Sequence, residues 1–422
     1  MTGPSERERT SRKFTALAPM RHGRQPSPHP VSTLFTVLGT VLLVVIVSGV
    51  TVAGAAAFTT LTNIKPGIVL RHATGSTKIP LPSVDAAEGA VNLLLAGSDS
   101  RTGQSGFQDK ANLASSSGLG NNDVTMLLHV SADHTNATVV SFPRDLVSVP
   151  ICGKTISSAM LNTTLARGLS CTVQTIEKMT GLTIPYAGVI KFDGVIAMSN
   201  AVGGVSVCLA TPVKDDYTNP PLDLAAGQQT LVGGNALSFL RSRHGVGDGS
   251  DLGRISNQQV FLSALARKIA GQGTLSNPIT LFKLANAALS NMQLSDTLTN
   301  PASLISIALT LKKIPPDRIV FVQYPVTPDP SNPNRVIPQS SSADALVSAL
   351  KSNRPLSLTG KLGRAATAAA TPTAAPTSTS APTPSAVPSI APEATIAPTS
   401  VPLPGDISGQ NASQATCTAK DK

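Results

Sequence analysis

The sequence predicts a layered α/β sandwich carried behind an N-terminal membrane anchor. Three observations point there. Between residues 65 and 364, short apolar runs alternate with amphipathic stretches. An uncharged apolar run fills 31–58. Residues 365–405 hold nine prolines and a single charge, Glu393, among Ala, Thr and Ser. The last two segments explain why only 13% of the 422 residues are charged, against ~25% in an ordinary soluble chain. The net charge of +10 is uneven, with six Lys/Arg against two Asp/Glu in residues 1–30. The chain has no internal repeat.

Arg7, Arg9, Arg12, Lys13, Arg21 and Arg24 precede the apolar run from Leu34 to Phe58. That run exceeds the ~20 apolar residues that cross a bilayer as a helix. The positive-inside rule keeps residues 1–30 in the cytoplasm and puts everything after Phe58 outside. A cleaved signal peptide is the alternative, because Ala53-Gly-Ala-Ala-Ala57 offers small residues. Signal cores span only ~7–15 residues, so 31–58 is read as an uncleaved transmembrane helix in the cell membrane. Residues 59–88 follow as a linker, 89–362 as the extracytoplasmic domain and 363–422 as a disordered Pro/Thr/Ala-rich tail.

An extracytoplasmic location permits disulfides. Of Cys152, Cys171, Cys208 and Cys417, the first two enclose a short loop and are the candidate pair. Cys208 sits in the apolar run Gly204–Leu209 and is either a buried thiol or the partner of another cysteine. No CxxC occurs, and no His/Cys cluster has zinc-ligand spacing.

Val91–Ala96 is a short apolar run ending at Gly97, which reads as a buried strand. Gly97–Arg101 forms the loop at its C-terminal end, and the Gly/Ser/Asn-rich 102–122 extends that loop. Asp123–Ser131 is a second strand with Asp123 at its entrance. Ala137–Phe142 is a third, joined to the second through Asp133–Asn136 and ending in Pro143-Arg144-Asp145. Cys171–Met179 and Phe192–Ala201 read as helices, and Gly203-Gly204 stops the latter. Open α/β sheets collect ligands at the C-terminal ends of their strands. Asp99 and Arg144 stand just past such ends.

The segment Leu240-Arg-Ser-Arg-His-Gly-Val-Gly-Asp-Gly-Ser-Asp-Leu-Gly-Arg254 leads into an amphipathic helix in which Ile255, Leu262, Leu265 and Ile269 recur near a 3.6-residue period. If the helix begins near Asp251, then Asp251, Arg254 and Gln258 share one face over its positive N-terminal turn. Arg241 and Arg243 point the same way if their stretch is extended. Arg144, Arg241, Arg243 and Arg254 offer planar forks that suit phosphate oxygens. Asp99 and Asp123 lie on adjacent strand ends, and paired carboxylates beside arginines suit Mg²⁺, or Mn²⁺ in its place. The ligand this asks for is a pyrophosphate, and the chemistry phosphoryl transfer. His129 and His244 read as strand and loop residues. Few aromatics and an external location exclude nucleic acid.

The residues also carry a resemblance. Asn92–Arg101, Asn122–Val130, Val140–Asp145, Ala201–Val205, Leu240–Arg243 and Gly249–Arg254 with Gln258-Gln259 together resemble the LytR–CpsA–Psr family of cell-wall assembly enzymes. The resemblance spans roughly residues 90–270. It implies a three-layer α/β/α sandwich around a central mixed sheet, with a hydrophobic tunnel for a polyprenyl chain. The implied activity is Mg²⁺-dependent transfer of a phospho-glycopolymer from polyprenyl pyrophosphate to peptidoglycan. The donor is teichoic-acid-, capsule- or arabinogalactan-like. Asp99 and Asp123 match the family's metal-associated aspartates. Arg144, Arg241, Arg243, Arg254 and Gln258 match its pyrophosphate-binding positions, and Asp251 is a catalytic candidate that positions an arginine or takes the acceptor's proton. The chain departs from the pattern at Asn121 and Asn257, where the family often has arginine, and at Thr155–Ala159.

Overall fold

Period-2 patterning and β-branched content drive the central sheet. The computed structural model describes residues 65–74, 89–104, 118–271, 277–369 and 400–420. The expected transmembrane helix at 31–58, the segment 1–30 and the middle of the tail, 370–399, lie outside the described residues. Among the described residues, no helix is long and apolar enough to cross a membrane.

In chain order, β1 is Val91–Ser98, β2 Asn122–Val130 and β3 Ala137–Phe142. Helix α1 (Leu169–Thr180) leads to β4 (Tyr186–Ile190) and α2 (Phe192–Ala201). A hairpin of β5 (Val205–Leu209) and β6 (Gly227–Leu231) precedes α3 (Gly233–Arg241) and α4 (Asp251–Ala270). Then come α5 (Pro278–Asn291), β7 (Met292–Leu294), α6 (Pro301–Lys313), β8 (Ile319–Gln323) and α7 (Ser340–Lys351). Three short strands close the chain: β9 (Ala366–Ala368), β10 (Gly409–Asn411) and β11 (Thr416–Thr418).

The main sheet has seven strands in the order β7-β4-β1-β2-β3-β8-β10. It is mixed: β1–β2 and β2–β3 are antiparallel, whereas β4 joins β1 and β8 joins β3 in parallel. Alternation sorts the strand residues between two cores. Leu94, Leu127 and Val140 pack against Ile176 of α1 and Leu346 of α7. On the other face, Leu93, Leu95 and Leu128 pack with Leu262 of α4, Leu289 of α5 and Ile307 of α6. Helices therefore cover both faces of a mixed sheet. A second sheet, β6-β5-β11-β9, lies beside α4.

Two expected boundaries are corrected. Residues 65–74 belong to the domain rather than to a linker: Leu70 is buried in the α1-side core, and Ile68 exchanges backbone hydrogen bonds with Leu294 and Asp296. The tail is not disordered throughout. Residues 363–369 and 400–420 fold into the domain, because Leu403, Ile407 and Ala412 are buried, and β11 pairs with β5. Cys152 is joined to Cys171, and Cys208 to Cys417. The second bond closes a loop of 209 residues. A crosslink across so long a loop restricts the unfolded chain, by about 5 kcal/mol in the chain-entropy picture. Cys417→Ser should lower unfolding free energy by about that amount in urea titrations, and amide exchange should accelerate first in β11.

His129 is buried on β2 and its Nδ1 lies 2.7 Å from Asn92 Oδ1. Burial pulls its pKa down from 6.5 to about 4, only partly offset by the Leu350 backbone. As pH falls below 6.5 the unfolded chain takes up a proton that the folded chain refuses until about 4, so stability is lost over that interval. Going from pH 7 to pH 5 should cost about 2 kcal/mol at this site. In paired urea titrations, His129→Gln should lose correspondingly less stability than the parent.

Candidate active site

The C-terminal end of β3, the end of α3 and the first turn of α4 meet beside the hairpin of β1 and β2. Ser250 caps α4, its hydroxyl accepting from the Gly253 N–H at 3.1 Å. This cap fixes the first turn, which carries Asp251 and Arg254 three residues apart.

Asp251 gathers the cluster. Its Oδ1 accepts from Arg254 Nη2 at 2.6 Å and from Arg243 Nη2 at 3.0 Å. Its Oδ2 accepts from the Arg144 backbone N–H at 3.2 Å, and Arg144 Nε lies 3.9 Å from Oδ1. Both oxygens are engaged with arginine residues, so this carboxylate is built to position arginines. Asp123 is the second counter-charge: its Oδ1 accepts from Arg144 Nη1 at 2.7 Å, and its backbone carbonyl accepts from Arg254 Nη2 at 2.6 Å. Asp145, the sequence neighbour read as an ion-pair partner of Arg144, stands 3.6 Å from Arg144 Nε.

These pairings set the charge balance. Burial works against the Arg144 cation, but Asp123, Asp145 and Asp251 outweigh it and raise its pKa. Burial pushes the Asp145 carboxyl up, and Asp251 adds to this against the pull of Arg144. Arg243 is lowered by burial and by repulsion from Arg254 and Arg144. Arg241 is lowered chiefly by burial, against the attraction of Asp123 and Asp99.

Arg241 differs from the other three. It is the last residue of a helix, not part of an extended stretch, so it does not form a common fork with Arg243. Its guanidinium carbon sits 4.2 Å over the Phe192 ring, and its Nη1, like Arg144 Nε and Arg254 Nε, is buried with no hydrogen-bond partner among the described residues. Arg144, Arg243 and Arg254 each pair with Asp123 or Asp251, whereas Arg241 forms no ion pair among the described residues, which leaves it the least neutralised guanidinium of the cluster and suits it to an incoming anion.

The remaining sequence candidates fall around this centre. Gln258 is buried and donates its Nε2 to the Leu240 carbonyl at 3.0 Å, fixing the end of α3 next to Arg241. Asp99 stands apart from the arginine pairs: its Oδ1 accepts from the Asn121 backbone N–H at 2.6 Å and its Oδ2 from the Asn121 amide at 3.3 Å. Asp215 was not legible as a site residue. Burial opposes its charge, yet hydrogen bonds from the Ser242 hydroxyl and the Tyr217 and Arg243 N–H groups hold it below the usual carboxylate range. It pins the turn bearing Arg243; the only sequence signal is an Asp two residues before Tyr217, where it closes an Asx-type turn.

A cavity of about 430 Å³ opens from the cluster. Asp123, Arg241, Arg254 and Gln258 line one end, while Leu93, Leu95, Met126, Ile190, Phe261 and Leu262 are among its apolar walls. On α4 the lining residues run from Arg254 through Gln258, Phe261, Leu262 and Leu265 to Ile269, all near one helix face. At 1.5 Å per residue these fifteen steps cover about 22 Å. Its lining suits a ligand that is anionic at one end and apolar along its length.

The model of the LytR_cpsA_psr family matches residues 62–352. This chain belongs to that family. It is 29% identical over 272 residues to the cell wall biosynthesis protein LcpA of Corynebacterium glutamicum, covering 58% of this chain and 51% of the relative. It is 36% identical over 211 residues to the probable cell wall biosynthesis protein LcpB of the same organism, covering 49% of each. A polyisoprenyl-teichoic acid–peptidoglycan teichoic acid transferase, TagU of Bacillus mycoides, is 27% identical over 246 residues, covering 58% and 73%. The chain thus spans about half the length of the first two relatives. The fold is similar to that of a LytR-Csp2A-Psr enzyme from Actinomyces oris, at a TM-score of 0.50 and 23% identity over 68% of this chain and 96% of that one.

The Asp251 geometry predicts a specific defect in this LytR–CpsA–Psr site. Asp251→Asn leaves three arginines without their shared counter-charge and should cost about 3 kcal/mol of stability. Added pyrophosphate should raise the melting temperature of Asp251→Asn more than that of the parent, because the anion replaces the lost charge. Equal shifts in differential scanning fluorimetry would count against Asp251 as the organiser of the cluster.

Proposed function

We propose that the chain moves a phospho-glycopolymer from a polyprenyl-pyrophosphate carrier to a peptidoglycan hydroxyl, working at the outer face of the cell membrane behind the anchor read at 31–58. The observation that carries this reading is the cavity with apolar walls and, at one end, an arginine whose buried Nη1 has no hydrogen-bond partner among the described residues. The teichoic acid transferase activity for which the TagU relative is named supports it.

In this reading the pyrophosphate lies against Arg241, Arg144, Arg243 and Arg254, and the polyprenyl tail fills the apolar cavity. The acceptor oxygen forms a bond to the phosphorus bearing the glycan, the bond from that phosphorus to the bridging oxygen breaks, and the lipid leaves as a monophosphate. The acceptor's proton departs to a base. The arginines neutralise charge that builds on the phosphoryl oxygens and on the leaving phosphate. Asp251 keeps three of them in place.

Asp99 and Asp123 are the carboxylates that would hold a Mg²⁺ ion in this reading. Ser98 pairs with Asn122 at a register shift, so Asp99 and Asp123 flank one end of the β1–β2 pair. Both act electrostatically on Arg241. Among the described residues, no group of three or more His, Cys, Asp or Glu forms a metal site. Mg²⁺ takes one or two carboxylates together with phosphate oxygens, which suits Asp99 and Asp123 with a bound pyrophosphate. When bound, the ion supplies further charge neutralisation.

A scaffold without turnover is the second reading, suggested by Asn121 and Asn257. The site geometry argues against it. Asn257 is buried, donating to the Phe239 carbonyl at 2.7 Å and accepting from the Thr418 hydroxyl at 2.8 Å, so no cavity is left where the family often has arginine. Asn121 is engaged with Asp99.

The test is transfer of polyprenyl-pyrophosphate-linked glycan to peptidoglycan oligomers by the purified full chain. Arg241→Ala should lower kcat/KM by about 10²-fold. Chelation should abolish transfer and Mg²⁺ restore it. A parent protein that binds lipid with no transfer would decide for the scaffold.

A further inference from the structure

Helices α5 and α6 have an outer face that their packing does not explain. Ile279 and Phe282 are exposed on α5, and Ile305 and Leu309 on α6. These are four of the eight large apolar side chains exposed among the described residues. Spacings of three and four put each pair on one helix face. Neither helix contains an Asp or Glu, whereas together they carry Lys283, Lys312 and Lys313. Lys283 and Lys313 are exposed. Soluble helix surfaces ordinarily mix both signs of charge. Exposed aliphatic and aromatic side chains among lysines only are the composition of a surface lying on an anionic lipid interface.

The cavity lies directly behind this face. Leu284 of α5 and Leu304 of α6 line it, and each is within two residues of an exposed apolar side chain on the same helix. The charged end is held by the first turns of α4, and the apolar end reaches Ile269 about 22 Å further along that helix.

We propose that the outer face of α5 and α6 docks on the anionic surface of a lipid bilayer and admits the donor's hydrocarbon tail from the bilayer into the cavity behind it. This rests on the donor being lipid-linked, as proposed above. Each methylene that crosses water on the way to a site carries a cost, which a docked entrance removes. A second copy of the chain is a poor occupant of the same face. A two-fold contact would set lysines against lysines with no carboxylate on either helix to answer them.

The chain contains no tryptophan, so Phe282→Trp introduces a single indole. Ile156→Trp serves as reference: Ile156 is 73% exposed and follows Ile151 and Cys152, which pack into the α1-side core. Each full-length variant is reconstituted into phosphatidylcholine–phosphatidylglycerol vesicles containing brominated lipid. The indole at 282 should emit at shorter wavelength and be quenched, and the one at 156 should not. Lys283→Glu with Lys313→Glu should reduce that quenching by about twofold or more. Equal emission and quenching at the two positions would overturn the proposal. So would a shift at 282 that appears in detergent and grows with protein concentration, since that marks self-association. Quenching without glycan transfer supports docking and counts against the donor reading. Transfer from vesicle-borne donor without quenching overturns docking alone.

Discussion

One carboxylate holds the site together. Asp251 meets two guanidiniums and the backbone of a third arginine residue, and it does so from the first turn of α4, where the helix dipole already favours negative charge. Without it, Arg144, Arg243 and Arg254 would repel one another in a half-buried setting. With it, they form a fixed positive surface that needs no rearrangement when an anion binds. The cost of bringing like charges together is met in folding, which is what electrostatic preorganisation requires.

Helix α4 then links charge to hydrophobic length. Its N-terminal turns carry Asp251, Arg254 and Gln258, and its later turns carry the apolar cavity wall. The end of the chain supports this helix along its whole length. Thr418 donates to Asn257, Gln410 donates to the Gln259 carbonyl and Ser263 hydroxyl, and Arg267 donates to the carbonyls of Ala412 and Gln414. These contacts come from residues 400–420, beyond the family-matched region, and the Cys208–Cys417 bond fastens them to β5. The turn between Arg243 and Asp251 is tied to the same segment through the Gly247 N–H and the Ala419 carbonyl.

The legible parts of the fold were those with strong local periodicity. Val91–Ala96, Ala137–Phe142 and Phe192–Ala201 follow from apolar runs and glycine stops, although β1 continues through Gly97 and Ser98, which pair with β2 where the sequence reads as loop. Placing the start of α4 near Asp251 from the apolar period that follows agrees with the observed Ser250 cap. Gly409–Asn411 and Thr416–Thr418 were illegible because they are short and polar, and their strand character comes from pairing and a disulfide, not from propensity. The arginines were visible as a group, but their individual roles were not. Arg241 stacks on Phe192 because α3 runs one residue further than an extended reading of Arg241–Arg243 allows. Asp215 gained its role only through tertiary contacts.

The cavity was beyond local reading for a deeper reason. Leu93, Leu95 and Met126 alternate along their strands as any core residues would, and sequence cannot tell a filled core from a lined void. The distinction lies in what closes the other side. On the α1 face, Leu94 and Leu127 meet side chains that fill the space. On the α4 face, equivalent positions line open volume ending at Arg241, whose buried Nη1 has no hydrogen-bond partner among the described residues. A void beside an unsatisfied cation is costly to the folded chain on both counts. A ligand with an anionic head and an apolar tail offsets both costs at once, whereas a simple anion or a simple hydrocarbon answers only one.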